Sequence, residues 1–196
     1  RNTREVRKSV EYHPSSAASP ARKLLFAKQG LIIPSYSAQT YRIFDNGSSM
    51  HRRYQRYFLE MGILYDRETF CYWSDPRIRG TIDARIKGPE EKLYLVELKS
   101  ITSGLFKLLQ SPNYEHMVQW NLYSLMTGTE NGLVLYENKD NQRCEIFPVK
   151  FDRELADSTL NKFRYVDYCF GRNFLPERCP FCNIDKCEQK EICKKM

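Results

Sequence analysis

The sequence lacks any long uninterrupted run of apolar residues, because charged residues interrupt its apolar segments. We therefore expect neither a membrane-spanning helix nor a signal peptide. The chain is also short of acidic residues, because 24 Asp and Glu stand against 31 Lys and Arg, a formal charge of +7. This deficit favours a polyanionic partner, either nucleic acid or an anionic surface. We expect an intracellular protein with no membrane partner, cytoplasmic in a prokaryotic or phage-infected host.

A chain of 196 residues is long enough to bury the core of one domain and to carry a small appendage. It begins with Arg1 and not with Met, so we expect the true start to be missing or processed. Composition divides the chain into three segments. They are an N-terminal arm with helices (residues 1–45), a core (residues 46–170) and a cysteine-rich tail (residues 171–196).

A β-hairpin is predicted between residues 79 and 100. Both flanks are rich in β-branched and aliphatic residues, and the intervening Lys87-Gly88-Pro89-Glu90 is typical of a turn. In the second strand, the alternation of side chains places Glu97 and Lys99 on one face. Asp83 lies near the end of the first strand, so strand pairing brings its carboxylate within reach of Glu97.

Two carboxylates that converge beside a lysine form an oxygen-rich site for a hard divalent cation such as magnesium. The alternative is a solvated hairpin face with a cross-strand charge pair. The hydrophobic context favours the cation site, because Leu93, Leu95, Val96 and Leu98 indicate a strand buried on at least one side. A charged residue in such a strand needs a partner.

Short motifs in this region resemble those of a known family. Gly80-x-x-Asp83 followed by Glu97-Leu98-Lys99 resembles the catalytic core of the PD-(D/E)XK nuclease superfamily. His51 is similar to the upstream histidine of the RecB-type branch, and Gln119-x-x-x-Tyr123 matches that branch's Gln-x-x-x-Tyr motif. The chain is thus similar to the CRISPR-adaptation nucleases and to the mitochondrial genome maintenance exonuclease.

The resemblance implies a metal site and a catalytic set. His51, Asp83, Glu97 and the backbone carbonyl of Leu98 would bind one or two Mg²⁺ or Mn²⁺ ions. Lys99 would orient the attacking water or stabilise the charge that develops on the phosphate. The implied catalytic residues are Asp83, Glu97, Lys99, Gln119 and Tyr123.

Contacts with DNA are expected from two places. Gln119 would position Lys99 or the phosphate of the strand, and Tyr123 would contact the DNA backbone or a base. Arg52, Arg53 and Arg56 lie on a basic, aromatic-rich helix that would draw in the strand. His116 shares the helix face of Gln119 and Tyr123, but it is not part of the family pattern and stays a guess.

The function implied by the resemblance is a metal-dependent DNA nuclease. We expect an exonuclease that hydrolyses single-stranded DNA or DNA ends in replication, recombination or repair. One alternative is a non-catalytic nucleic-acid-binding module, and another is a nuclease subunit that is active only within a complex. Cleavage of single-stranded DNA in magnesium or manganese distinguishes the nuclease from the binding module, and substrate and partner screens distinguish the subunit.

The order of predicted elements is helix, three strands, helix, two strands, helix. It indicates an α/β (α+β) fold with a mixed central β-sheet flanked by helices, and the resemblance makes it restriction-endonuclease-like. Helices are predicted at residues 37–44 and 48–61, with a break at residues 45–47. Further helices are predicted at residues 114–126 and from a cap at Asp152 to Phe170.

Four cysteines cluster near the end of the chain: Cys179, Cys182, Cys187 and Cys193. In a chain without secretion features, a Cys-x-x-Cys pair followed by two more thiolates favours metal ligation over disulfides. The spacing is near that of a zinc knuckle. Several RecB-type nucleases instead carry a [4Fe–4S] cluster with one upstream cysteine, whose place Pro20 and Ala21 occupy here. We therefore predict structural zinc, with an iron–sulfur cluster or metal-free thiols as the alternatives.

Overall fold

A computed structural model of the chain describes residues 11–32, 35–178 and 190–195. Within these residues the helices are α1 (Ala21–Lys28), α2 (Ala38–Glu60), α3 (Ser103–Lys107), α4 (Tyr114–Thr127), α5 (Arg153–Arg172) and α6 (Lys190–Lys195). The strands of the same residues are β1 (Leu64–Trp73), β2 (Ile78–Lys87), β3 (Leu93–Ile101), β4 (Asn131–Asn138) and β5 (Cys144–Lys150). None of the described helices is both long and apolar enough to cross a membrane.

The strands of the described residues form one mixed sheet in the order β1-β2-β3-β4-β5. Strands β3 and β4 are parallel, whereas each other neighbouring pair is antiparallel. A parallel pair needs a crossover connection, and α3 with α4 supplies it between β3 and β4. The predicted mixed sheet flanked by helices is therefore confirmed, as is the hairpin predicted between residues 79 and 100.

Strand β3 is buried on both of its faces. Val96 and Leu98 pack in one cluster with Phe58 of α2. Leu95 points the other way, into a cluster with Trp120 of α4. Because helices cover both faces, a polar side chain on β3 has little access to water and must find its partners within the protein.

The largest difference from the predicted elements concerns α2. The sequence predicts two helices separated at residues 45–47, but the structure has one continuous helix, Ala38–Glu60. Ser37 caps it, because its hydroxyl accepts a hydrogen bond from the N–H of Thr40 at 3.1 Å. A glycine such as Gly47 costs only about 1 kcal/mol in a helix interior, so the hydrogen bonds of an unbroken helix outweigh it.

The start of α5 agrees with the sequence. Asp152 caps it through its carboxylate, which accepts a hydrogen bond from the N–H of Leu155 at 3.0 Å. The helix continues past Phe170 to Arg172, where Asn173 ends it in a left-handed conformation. This helix packs on α1 and α4 beside the sheet.

Candidate active site

The position of Asp83 follows from the way in which β2 and β3 separate. Their pairing ends at Ala84 and Val96, and the next position of β2 is Asp83. Here the backbone of β2 no longer supplies an acceptor to β3. The carboxylate of Asp83 replaces it, because its Oδ2 accepts a hydrogen bond from the N–H of Leu98 at 2.8 Å. The fork between two strands therefore holds a carboxylate at a fixed place.

Glu97 and Lys99 lie on β3, on the face toward α4. Glu97 is only 2% exposed, and its Oε1 lies 2.7 Å from Nζ of Lys99. The same ammonium donates a hydrogen bond to Oε1 of Gln119 on α4, at 3.0 Å. Lys99 is thus held between a strand carboxylate and a helix amide, which fixes the direction of its charge.

The two carboxylates influence each other across the fork. Burial, followed by the negative charge of Asp83, raises the pKa of Glu97 above its usual range, although the Lys99 ammonium opposes this. Two acidic groups at such a place are costly without a compensating positive charge. Lys99 supplies such a charge to Glu97, and two neighbouring carboxylates are ligands of the kind that a hard divalent cation takes.

His51 brings α2 into the same site. Its Nδ1 lies 3.2 Å from Oδ1 of Asp83. Burial lowers the pKa of His51, but the hydrogen bond and the charge of Asp83 outweigh it, so the pKa is raised above its ordinary value. The structure thus brings together His51, Asp83, Glu97, Lys99 and Gln119, and their metal-binding and catalytic roles stay predictions.

The donor set suits a hard cation, although it is not arranged as a cage. Among the described residues, no three His, Cys, Asp or Glu side chains form a ready-made metal-binding group. We attribute this to internal partners, because Glu97 turns toward Lys99 and Asp83 toward His51 and the N–H of Leu98. The two carboxylates fit magnesium or manganese, which prefer oxygen ligands.

Two residues that the sequence pattern did not indicate, Gln55 and Glu68, support the backbone of Asp83. Gln55 of α2 is only 2% exposed, and its Nε2 donates to the backbone carbonyl of Asp83 at 2.9 Å. The same nitrogen donates to Oε1 of Glu68 at 2.6 Å, and Glu68 has a left-handed φ of 48° within β1. A signal was present, since Gln55 follows His51 by one helical turn and so shares its face.

Tyr123 lies beneath β2, not in the open. It is 5% exposed and receives a backbone hydrogen bond from Thr81. A Cβ at Gly80 would come within 2.7 Å of both Cε1 and the hydroxyl oxygen of Tyr123, so only glycine permits this packing. The tyrosine also borders a cleft of about 450 Å³ that Phe70 and Arg79 line. Its observed contacts are those of a residue that supports the Asp83 strand.

A second cleft, of about 470 Å³, opens beside Lys99 and Gln119. His116 and Lys23 also line it. Nδ1 of His116 lies 2.7 Å from the hydroxyl oxygen of Tyr136. Burial, followed by the charge of Lys99, lowers the pKa of His116 to about 4, so its imidazole is neutral at physiological pH. The cleft offers the Lys99 ammonium a path to solvent and to a substrate.

The three predicted DNA-binding arginines differ in their surroundings. Arg53 donates to Oε1 of the buried Glu137 at 2.6 Å, and the hydroxyl of Tyr54 donates to the same carboxylate at 3.0 Å. Arg53 is therefore engaged within the fold. Arg52 and Arg56 are exposed on the surface of α2.

One end of the cysteine-rich tail returns to α1. Cys193 of α6 is buried, and Nη1 of Arg22 donates to its sulfur at 3.1 Å. Nε of Arg22 also donates to the carbonyl of Pro176 at 2.8 Å. Arg22 lies two residues after Pro20, at the start of α1. The other predicted ligands, Cys179, Cys182 and Cys187, lie outside the described residues.

No family model and no curated protein matches the chain. Solved structures do match. The crystal structure of SSO0001 is similar with a TM-score of 0.62 and 16% identity, over 96% of this chain and 88% of that one. An alkaline exonuclease from Laribacter hongkongensis, LHK-Exo, gives a TM-score of 0.60 and 12% identity, over 85% of this chain and 90% of that one. The same exonuclease in complex with dAMP gives a TM-score of 0.62 and 12% identity, over 86% of this chain and 91% of that one.

At these identities the similarity establishes a shared fold and no more. The chain has a nuclease-like α+β fold of the kind seen in that alkaline exonuclease. The predicted fold is thus confirmed. Membership of the PD-(D/E)XK nuclease superfamily and of its RecB-type branch stays a prediction.

Proposed function

We propose that this protein is a metal-dependent deoxyribonuclease of the RecB-type branch that acts on single-stranded DNA or DNA ends. The observation that carries the proposal is the strand fork at which Asp83, Glu97 and Lys99 meet. Support comes from the fold, which is shared with an alkaline exonuclease, and from His51 and Gln119, which complete the residue pattern around the fork.

The metal ligands in this proposal are His51, Asp83, Glu97 and the backbone carbonyl of Leu98. A divalent cation bound by them would lower the pKa of a water molecule and neutralise charge on the scissile phosphate. The carboxylates would supply the hard oxygen ligands, and their mutual repulsion would be relieved. His51 would bind from the α2 side and keep that helix against the sheet.

The remaining residues would act on the phosphate and its water. Lys99 would orient the attacking water or stabilise the extra charge of the transition state through its ammonium group. Gln119 would keep Lys99 in place, since it already accepts a hydrogen bond from that ammonium at 3.0 Å. The net charge of +7 and the exposed Arg52 and Arg56 would attract the phosphodiester backbone.

The test uses a labelled single-stranded oligonucleotide and its circular counterpart. With Mg²⁺ or Mn²⁺ we expect the linear strand to be shortened from an end, and with EDTA we expect it to remain intact. The circle should survive, because an exonuclease requires a free end. Cleavage that is undiminished by EDTA would contradict the proposal. Binding without cleavage in both metals would also contradict it and would favour a non-catalytic module.

For the tail we propose a structural zinc ion held by Cys179, Cys182, Cys187 and Cys193. Support comes from the spacing of the cysteines and from the buried Cys193, whose sulfur accepts a hydrogen bond from a guanidinium group, as a metal-bound thiolate does. Freshly purified protein should be colourless and contain stoichiometric zinc. A broad absorption band in the visible range together with bound iron would overturn zinc in favour of a [4Fe–4S] cluster.

A further inference from the structure

The first three turns of α2 stand clear of the sheet. From residue 35 to residue 49 no side chain is buried, and burial begins at Met50. Despite this exposure the segment carries three aromatic side chains, Tyr36, Tyr41 and Phe44, which are 47%, 56% and 47% exposed. Exposed apolar groups that lie side by side are a mark of a binding surface.

The three aromatic rings contact one another and form what we call the aromatic cluster. The ring centroids of Tyr36 and Phe44 are 5.1 Å apart at an interplanar angle of 84°. Those of Tyr36 and Tyr41 are 5.9 Å apart at 83°. Such edge-to-face contacts are favourable and hold the rings in fixed orientations, while large parts of their surfaces stay open to solvent. The cluster is therefore preorganised to receive a flat apolar group.

The aromatic cluster lies next to the candidate active site along the same helix. Phe44 precedes His51 by seven residues, which is close to two helical turns, so both residues lie on one side of α2. A rise of 1.5 Å per residue puts them about 10 Å apart along the axis. A ligand that reaches His51 and continues along α2 toward its N-terminus therefore passes the cluster.

The charge of this helix indicates the nature of that ligand. Between residues 35 and 60 there are four arginines, of which Arg53 is engaged with Glu137, and two acidic residues, Asp45 and Glu60. Arg42 and Arg52 are exposed on the same helix as Tyr41 and Phe44. A helix surface that carries both exposed aromatic rings and cations suits a chain of flat bases and phosphates. A purely apolar partner would not need the cations.

We propose that the aromatic cluster is a stacking platform for the unpaired bases of a single strand that enters the active site. The proposal rests on the proposed nuclease function, whose substrate class it specifies. Bases in a duplex are already stacked on their neighbours, so only unpaired bases can present a face to Tyr36, Tyr41 or Phe44. The platform would thereby make the enzyme prefer single strands or frayed ends over intact duplex.

The test compares two DNA probes in EDTA, so that binding is measured without cleavage. One probe is a fluorescent oligothymidylate of about 12 nucleotides, and the other is an abasic oligomer of equal length and charge. The double variant Tyr36→Ala/Phe44→Ala should lower the affinity for the oligothymidylate about tenfold or more and leave the affinity for the abasic oligomer unchanged. A matched double variant on exposed aromatic residues elsewhere, Tyr168→Ala/Phe174→Ala, should change neither affinity.

Equal affinities of the parent protein and the double variant for oligothymidylate would overturn the platform. So would an equal loss for both probes, because that loss would reflect charge or folding and not stacking. If light scattering shows a dimer that the double variant alone disrupts, at unchanged DNA affinity, the cluster is instead a surface between two copies. Cleavage is measured separately. Base-dependent binding without cleavage would overturn the proposed nuclease function and retain the stacking platform. Cleavage without base-dependent binding would retain the nuclease function and overturn the platform.

Discussion

Replacing Asp83 with asparagine is expected to lower the rate of DNA cleavage by about 10³-fold or more, with little change in DNA affinity. Asparagine keeps the size of the side chain and an oxygen that can accept the hydrogen bond now made by the N–H of Leu98 at 2.8 Å. It removes the negative charge on which the proposed metal site depends. Loss of metal assistance costs several kcal/mol in the transition state, which corresponds to about three orders of magnitude in rate.

The control for this variant is Asp157→Asn. Asp157 is an exposed residue of α5 whose partner in the described structure is Arg153, at 4.0 Å. Both substitutions remove one negative charge, so they match in their effect on attraction to DNA. Single-turnover cleavage and anisotropy titrations with the same labelled strand provide the two measurements. Equal cleavage rates for the two variants would show that Asp83 has no role in the proposed active site.

The Lys99→Met variant should lower the cleavage rate by about 10²- to 10³-fold, which is typical for the loss of one group that stabilises developing charge. Methionine keeps most of the length of lysine but lacks the ammonium group. The ammonium now lies 2.7 Å from Glu97 and donates to Gln119 at 3.0 Å, so it is already aligned before substrate arrives. We expect the effect in kcat more than in KM, since the role proposed for this ammonium group is to stabilise the transition state.

Lys150→Met is the matched control. Lys150 is exposed on β5 and pairs with Asn131, at the start of β4, whereas Lys99 pairs with Tyr136 further along that strand. The control therefore removes an equal charge from the opposite end of the sheet. If the two lysine variants lose the same modest amount of activity, Lys99 contributes only to general attraction of DNA.

The centre of the site could be predicted because it depends on local patterns. The alternation of side chains in β3 and the turn at residues 87–90 define a hairpin, and a hairpin sets Asp83 near Glu97. The carboxylate cap of Asp152 is equally local. These features involve residues that are close in sequence, so their geometry follows from strand and helix periods alone.

Other parts of the site depend on contacts that periodicity does not specify. The sequence pattern does not distinguish Gln55 from an ordinary polar residue on a helix surface. Tertiary packing nevertheless buries it against the carbonyl of Asp83. Arg53 was predicted to contact DNA. Its partner in the structure is Glu137 of β4, which is distant in sequence, so local patterns could not indicate the pair. The predicted break in α2 was wrong for a related reason, since Asp45 and Gly47 are tolerated within an exposed helix.

The central claim is that the carboxylates of Asp83 and Glu97 share a divalent cation. The most direct measurement is an anomalous difference map from crystals of the parent protein soaked in Mn²⁺. We predict a strong peak in the strand fork, within coordinating distance of both carboxylates. A map in which manganese binds elsewhere, or in which the fork stays empty while Lys99 remains paired with Glu97, would contradict it.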